Sequence, residues 1–253
     1  MRRPAIALVV LTAAGAALVG TSAAPAAVPR NVTALTISGN PPFDVRQSGK
    51  LTGFDIQLVE QAARIAGVRA VSWRVVQFSN LLNSIENGNA MMGAASITIT
   101  PQRSAIVTFG NPYLQANMGI VTRSGQTGIT TRADLRGQTI GVLQGSTAVP
   151  VARGIQGARV LQYPTLQATY KALLDARNNA VINDYGQSRA YVKNNAPKFR
   201  YAGVIPVNQQ YGLAFNDNQD ELRVAMNRAL ATMKRNGQYQ RLINRWGLQS
   251  LLP

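Results

Sequence analysis

The chain has 253 residues, 46% of them hydrophobic, and its 26 lysine and arginine residues against 10 acidic ones give a net charge of +16. That length is sufficient for two domains of ordinary size. The chain contains no cysteine and no histidine. This composition excludes disulfides, thiolate metal sites and a cysteine nucleophile, and it removes the commonest metal ligand and general base. We therefore expect no metal and no cofactor.

The N-terminus has the pattern of an export signal. Arg2 and Arg3 precede a short apolar run over 5–19, and small residues follow it. The run is too short for a typical membrane span, so we predict a signal peptide over 1–27, with an uncleaved anchor as the alternative. The mature protein is then expected to be periplasmic or secreted.

The positive charge is dispersed along the chain, and no basic run alternates with aromatic residues. We interpret the densest basic group as the solvated face of a helix rather than a nucleic-acid site. This group comprises Arg223, Arg228, Lys234, Arg235, Arg241 and Arg245.

The first part of the chain alternates between strand and helix signals. Strands are predicted over 32–38, 68–76 and 91–95. Between them, one apolar helical pattern ends at Gly67, and a second helix, capped by Ser79, ends at Gly88. This β-α-β-α-β succession predicts a parallel sheet with right-handed crossovers.

A second series of similar length follows, and it begins with an extended segment over 113–122. Strands are predicted over 139–143, 160–162, 180–182 and 201–207. Helices are predicted over 131–136, over 165–176 with Thr165 as its cap, and over 185–194, with a further helix opening after 144–147. After the extended segment 211–215, Asn218 is expected to cap a long helix that Gly237 ends, and one more helix completes the chain.

Polar residues stand where several of these strands end. In the segment 96–103, Thr100 can cap a helix that starts at Pro101. Arg103 then lies in the first turn beside free N–H groups, which favours a carboxylate site. A plain strand-to-helix turn with a solvated arginine is the alternative.

Other candidate site residues lie at similar positions. The loop 144–147 presents N–H groups at a helix start, with Thr147 next to the helix and Leu143 just before the loop. Asp184 follows a buried strand and suits an ammonium group, although it can equally cap the next helix. Phe78 is a candidate apolar wall or an ordinary core residue. Ser96 and Thr98 offer hydroxyl and backbone partners.

The strand ends of open α/β sheets are where ligands bind. A positive and a negative group across a cleft suit a zwitterion such as an α-amino acid. Many motifs, in this order and spacing, also resemble the family 3 extracellular solute-binding proteins of amino-acid uptake transporters. They lie at 41–43, 53–56, Phe78, 97–103, Phe109, 112–113, 134–137, 140–142, 144–147, 183–184, 211–215, Leu222, Asn227, 229–230, 236–237 and 245–247.

The resemblance implies an α/β, two-lobe periplasmic-binding-protein fold of type II, in which helices flank a mainly parallel sheet in each lobe. Lobe 1 would comprise 28–115 and 210–253, and lobe 2 would comprise 116–209. Two hinge strands would lie near 114–118 and 208–212.

The resemblance also implies residue roles. Arg103 would pair with the ligand carboxylate, with backbone donors at Thr98 and Thr147. Asp184, with groups at Ser96 and Thr98, would take the ammonium group, and Phe78 would pack over the ligand.

One departure concerns the ligand. Asn40 stands where relatives usually carry an aromatic residue, and no acidic residue precedes it. This weakens the case for lysine, arginine or histidine as the ligand.

We therefore predict a binding protein, not an enzyme, that captures an L-amino acid and delivers it to a membrane ABC permease. A monomer without nucleic-acid partners is expected. Two alternatives remain: a dehydratase-like enzyme acting on prephenate or arogenate, which would need a general acid or base in the cleft, and a periplasmic sensor module using the same pocket.

Overall fold

The computed structural model describes residues 27–252. Apart from its last residue, the predicted signal peptide lies outside this range. Within the range, no helix has the length and apolar character that a bilayer crossing requires.

The described chain folds into twelve strands and eight α-helices. The strands are β1 Asn31–Thr36, β2 Val45–Gln47, β3 Lys50–Thr52, β4 Ala70–Val75, β5 Met92–Gly93, β6 Thr108–Phe109, β7 Leu114–Arg123, β8 Thr139–Leu143, β9 Arg159–Tyr163, β10 Ala180–Asp184, β11 Phe199–Tyr211 and β12 Ala214–Phe215. The helices are α1 Phe54–Ile65, α2 Phe78–Glu86, α3 Pro101–Ser104, α4 Ala148–Arg153, α5 Leu166–Leu174, α6 Tyr185–Asn194, α7 Asp220–Arg235 and α8 Gln238–Trp246.

The first sheet has the strand order β4-β1-β5-β12-β6. The three strands of the predicted βα series, β4, β1 and β5, are parallel, whereas β12 runs antiparallel to both of its neighbours. Helices α1, α7 and α8 bury apolar residues such as Phe54, Met226 and Ile243 in one cluster, while α2 contributes Leu81 and Ile85 to another.

The second sheet has the order β11-β7-β10-β8-β9. Strands β10, β8 and β9 are parallel, and β7 is antiparallel to β10 and β11. In each sheet, therefore, the strands connected through helices are parallel, and the antiparallel strands belong to the segments that pass between the sheets. Helices α4 and α5 pack on the second sheet through buried residues that include Val149 and Leu173.

Strand β7 begins beside the first sheet, and strand β11 ends there. Their paired ends match Leu114 with Tyr211 and Ala116 with Gln209, and an isolated bridge joins Tyr211 to Thr98. We propose that each sheet is the centre of one lobe, with the boundaries 28–115, 116–209 and 210–253, and that these strand ends are the hinges.

Two of the four predicted helix caps are confirmed. The hydroxyl of Thr100 accepts the N–H of Arg103 at 3.2 Å, and that of Thr165 accepts the N–H of Ala168 at 3.1 Å. The caps assigned to Ser79 and Asn218 are wrong. Helix α2 already starts at Phe78 and α7 starts only at Asp220, so the N-cap positions fall on Gln77 and Gln219.

The helix predicted over 131–136 is a single 3-10 turn, Ala133–Leu135. The Asp134 carboxylate accepts the N–H groups of Thr130 and Thr131 at 3.0 and 2.9 Å. This local turn satisfies the backbone without a full helical ladder.

Candidate functional site

All eight predicted site residues line one narrow cavity between the two sheets. They are Asn40, Phe78, Ser96, Thr98, Arg103, Leu143, Thr147 and Asp184. The cavity has a volume of about 20 Å³, which is room for about one water molecule. The two sides of the cleft are therefore closed on each other in this structure. The ligand-binding roles of the eight residues remain predictions.

Arg103 lines this cavity and is buried, with 8% of its surface exposed. Its Nη1 donates to the carbonyl oxygen of Thr98 at 2.8 Å, and its Nη2 reaches across the cleft to the carbonyl oxygen of Gly145 at 3.1 Å. The guanidinium carbon lies 5.3 Å from the ring centre of Phe78. Burial lowers the pKa of Arg103 to about 10, against the opposing effect of Asp184, so the group stays charged at neutral pH. The alternative of a solvated arginine is wrong.

Asp184 ends β10 on the opposite side of the cavity. It occupies the N-cap position of α6, but its side chain makes no capping hydrogen bond. Burial raises the pKa of Asp184 to about 6, while the nearby Tyr211 hydroxyl and the Arg103 charge act to lower it. A cationic partner would favour the ionised form of this buried carboxyl group, so the site suits a positively charged group of a ligand.

Ser96 connects the two sides of the cleft. Its hydroxyl donates to the carbonyl oxygen of Ala95 at 2.7 Å and accepts from Asn40 Nδ2 at 3.2 Å and Gln187 Nε2 at 2.6 Å. Its backbone has a φ of 45°, a conformation that non-glycine residues rarely adopt. Such strain persists where the surrounding structure holds it in place, commonly at functional sites.

Three polar atoms at the cavity have no hydrogen-bond partner within the described part of the chain. They are Asn40 Oδ1, Gln187 Oε1 and Asn183 Nδ2. Buried polar groups are nearly always paired, so these atoms mark positions where a ligand or water would bind. Two of them are acceptors on the Ser96 network.

The loop 144–147 closes the cavity from the second sheet. The hydroxyl oxygens of Thr147 and Thr98 lie 3.4 Å apart across the cleft. Gly145 has a φ of 77°, and a Cβ at this position would lie 3.1 Å from the Cα of Ser79. Both the left-handed backbone and the close approach of the two lobes favour a glycine here.

The remaining wall of the cavity is apolar. Phe78 is partly buried, packs against buried clusters from both sheets and lines the cavity, and its role as a wall against the ligand stays a prediction. Leu143 lies at the end of β8, opposite Phe78. Ile37 and Leu166 complete this wall.

Two further carboxyl groups are buried behind the cavity wall. Asp44 accepts from Thr36 at 2.8 Å and from Asn40 at 2.9 Å, and Asp55 accepts from the Tyr113 hydroxyl at 2.9 Å as well as from the Ser96 N–H. Burial raises the pKa of Asp55 to about 7, and it raises that of Asp44 with a further contribution from Asp55. Neither carboxyl group lines the cavity, so they orient Asn40 and Ser96 from behind.

Sequence reasoning missed Gln187, Ile37 and Leu166, and it included Asn183 in the 183–184 motif without giving it a role. Gln187 lies three residues after the N-cap Asp184, a spacing at which glutamine or glutamate often turns back toward the helix start. That spacing was the one available signal for it. Ile37 and Leu166 carry no local signal, because an apolar residue that lines a cavity cannot be distinguished in sequence from one in the core.

Comparison with known proteins identifies the family. Residues 32–249 match the family described as bacterial extracellular solute-binding proteins, family 3. The chain belongs to this family. Its members are binding proteins, so the predicted family and the interpretation as a binding protein are confirmed, and the dehydratase-like alternative gains no support.

Individual relatives cover most of the chain. A probable amino-acid-binding protein of Bacillus subtilis is 26% identical over 81% of this chain and 79% of its own length. The lysine/arginine/ornithine-binding periplasmic protein of Escherichia coli is 27% identical over 90% of this chain and 93% of its own.

A solved structure of an ancestral arginine-binding protein bound to arginine superposes with a TM-score of 0.82 at 30% identity. The match covers 86% of this chain and 98% of that one. The predicted two-lobe, type II fold is confirmed.

Proposed function

We propose that this family 3 protein captures a free L-amino acid between its lobes and delivers it to a membrane ABC permease. One observation carries the proposal: Arg103 and Asp184, which have opposite charges, are the only charged side chains that line the cleft cavity within residues 27–252. A zwitterionic α-amino acid is the simplest ligand that neutralises both.

The α-carboxylate would replace the Gly145 carbonyl as the partner of the Arg103 guanidinium. A carboxylate accepts two parallel N–H bonds from an arginine, and such charge-assisted pairs are stronger than a bond to a neutral carbonyl. The loop containing Thr147 would supply further donors at the start of α4.

The α-ammonium group would lie against Asp184. The unpartnered oxygens of Asn40 and Gln187 are acceptors at the same cavity and would satisfy its remaining protons. Because the closed cavity holds about 20 Å³, entry of an amino acid requires the lobes to open and to close again around it.

The family supports an extracellular or periplasmic location and a transporter partner. Its members are extracellular, and one relative is periplasmic by name. We expect removal of a signal peptide over 1–27, periplasmic or secreted localisation, a monomer and no nucleic-acid partner. The dispersed positive charge supports the last expectation, since nucleic-acid sites concentrate theirs.

Ligand binding is tested by a thermal-shift screen of the twenty L-amino acids followed by calorimetric titration of the hits. A ligand that binds only the folded state raises the melting temperature by mass action. At least one L-amino acid should bind with one-to-one stoichiometry. Absence of binding across the set, with ligand-free and folded protein, would overturn the proposal.

A further inference from the structure

A second, larger groove continues from the cleft cavity. It has a volume of about 330 Å³ and shares four lining residues with the cavity: Ile37, Phe78, Leu143 and Leu166. This volume lies within the range of small-molecule pockets. A ligand held by Arg103 and Asp184 therefore has one direction in which its side chain can extend.

Both lobes build the groove from the carboxyl ends of their parallel strands. Ile37 and Val75 come from the ends of β1 and β4, and Leu143 and Pro164 come from the ends of β8 and β9. The inner residues Ile37 and Leu143 are buried, whereas Val75 is 42% exposed at the outer end. Closing the lobes thus encloses the inner half of the groove.

The walls of the groove are mostly apolar and carry no charge. Its polar members are Ser38, Gln77 and Thr165, and the Thr165 hydroxyl is already engaged in capping α5. Among residues 27–252, no aspartate, glutamate, lysine or arginine lines the groove. Burying an unpaired charge is costly, so these walls favour an uncharged, apolar side chain.

Both charged side chains of the neighbouring cavity would already bind the backbone groups of the amino acid. Arg103 would hold the α-carboxylate and also lies over Phe78, where it would repel a second cation stacked on that ring. Asp184 would hold the ammonium group. Asp44 and Asp55 are hydrogen-bonded behind Asn40 and Ser96 and line neither the cavity nor the groove.

We propose that this groove is the side-chain subsite and that it selects a large, uncharged, apolar side chain, either aliphatic or aromatic. The inference rests on the proposed function, because it takes the amino-acid backbone as held by Arg103 and Asp184. An apolar subsite would give this chain a ligand preference different from that of relatives whose names specify arginine, lysine or ornithine.

The first test is a calorimetric titration of wild-type protein with leucine, methionine, phenylalanine, alanine, glutamate, lysine and arginine. One of the three large apolar ligands should bind at least about 100-fold more tightly than lysine, arginine or glutamate. Alanine should bind more weakly than that ligand, because it leaves the groove unfilled.

The outcomes separate the two proposals. Tightest binding of lysine, arginine, glutamate or alanine would overturn the subsite assignment while leaving the proposed function intact. Absence of binding of any amino acid would overturn the proposed function and the subsite assignment together.

The second test introduces a carboxylate at the mouth of the groove. Val75→Asp should shift the ratio of lysine to leucine affinity by about tenfold toward lysine, since the new charge offers the missing partner. Val204→Asp is the matched control, because Val204 is also 42% exposed but lies on β11, outside the groove. Equal ratios in both variants would overturn the subsite assignment.

Discussion

The two ends of the cleft differ in the charge and in the hydrogen bonding of the residues that line them. At the polar end, Arg103 and Asp184 face a network centred on Ser96. At the apolar end, Ile37, Phe78 and their neighbours form a groove with no charged lining. Under the proposed function, the polar end would define the class of ligand, and the apolar end would select among members of that class.

Loss of Arg103 should have the largest effect on the polar end. In Arg103→Ala the ligand carboxylate would be buried without a partner, so affinity should fall by at least about 100-fold, or about 3 kcal/mol. Arg64→Ala, which removes an exposed arginine from α1, should leave affinity unchanged. The measurement is calorimetric titration of both variants. Similar affinities for the two would show that the carboxylate binds elsewhere.

Asp184 should make binding depend on pH. Its carboxyl group has a pKa raised to about 6, and the ligand ammonium group requires the ionised form. Affinity should therefore be nearly constant above pH 7 and should fall by up to about tenfold for each pH unit below 6.

Asp184→Asn separates this group from the other buried carboxyls. The variant should bind more weakly at pH 7.5 and should lose the component of the pH dependence near 6, leaving any contribution from Asp44 and Asp55. The measurement is a titration series from pH 5 to 8. An unchanged pH profile in Asp184→Asn would exclude Asp184 as the ammonium partner.

Closure of the polar end should depend on Gly145. Gly145→Ala places a methyl group at a positive φ and 3.1 Å from Ser79 Cα, so the closed state should be destabilised and affinity should fall by about tenfold. Gly125→Ala is the control, since nothing lies within 4 Å of its Cβ position. Small-angle scattering with saturating ligand checks compaction; full closure of Gly145→Ala would contradict the predicted role.

At the apolar end we expect an effect no larger than that of Gly145→Ala, and one confined to large ligands. Leu166→Ala enlarges the groove and should weaken binding of the preferred large apolar ligand by about tenfold, with little change for alanine. Leu174→Ala, at an exposed position of the same helix, should change neither affinity. Equal loss for the large ligand and for alanine in Leu166→Ala would indicate general destabilisation rather than a side-chain subsite.

The polar end was largely predictable from sequence because its signals are local. Thr100 and Pro101 specify a helix start, which in turn places Arg103 near the strand end, and Asp184 follows a clear buried strand. The hydrogen bond from Arg103 to Gly145 joins residues 42 positions apart, and no local pattern encodes it.

The groove was not predictable from sequence for a related reason. Ile37 and Leu166 are ordinary apolar residues, and only the packing of the two sheets brings them together with the predicted residues Phe78 and Leu143. The wrong caps at Ser79 and Asn218 are similar cases, because the helices start where tertiary packing places them rather than at the nearest capping residue.

The central claim is that the cleft binds both charges of an amino-acid backbone. The direct measurement is calorimetric titration of the tightest-binding L-amino acid, its amide, which lacks the carboxylate, and its deaminated acid, which lacks the ammonium group. Each derivative should lose about 100-fold or more in affinity, since each leaves Arg103 or Asp184 buried without its partner. Binding of either derivative as tightly as the parent amino acid would contradict the account.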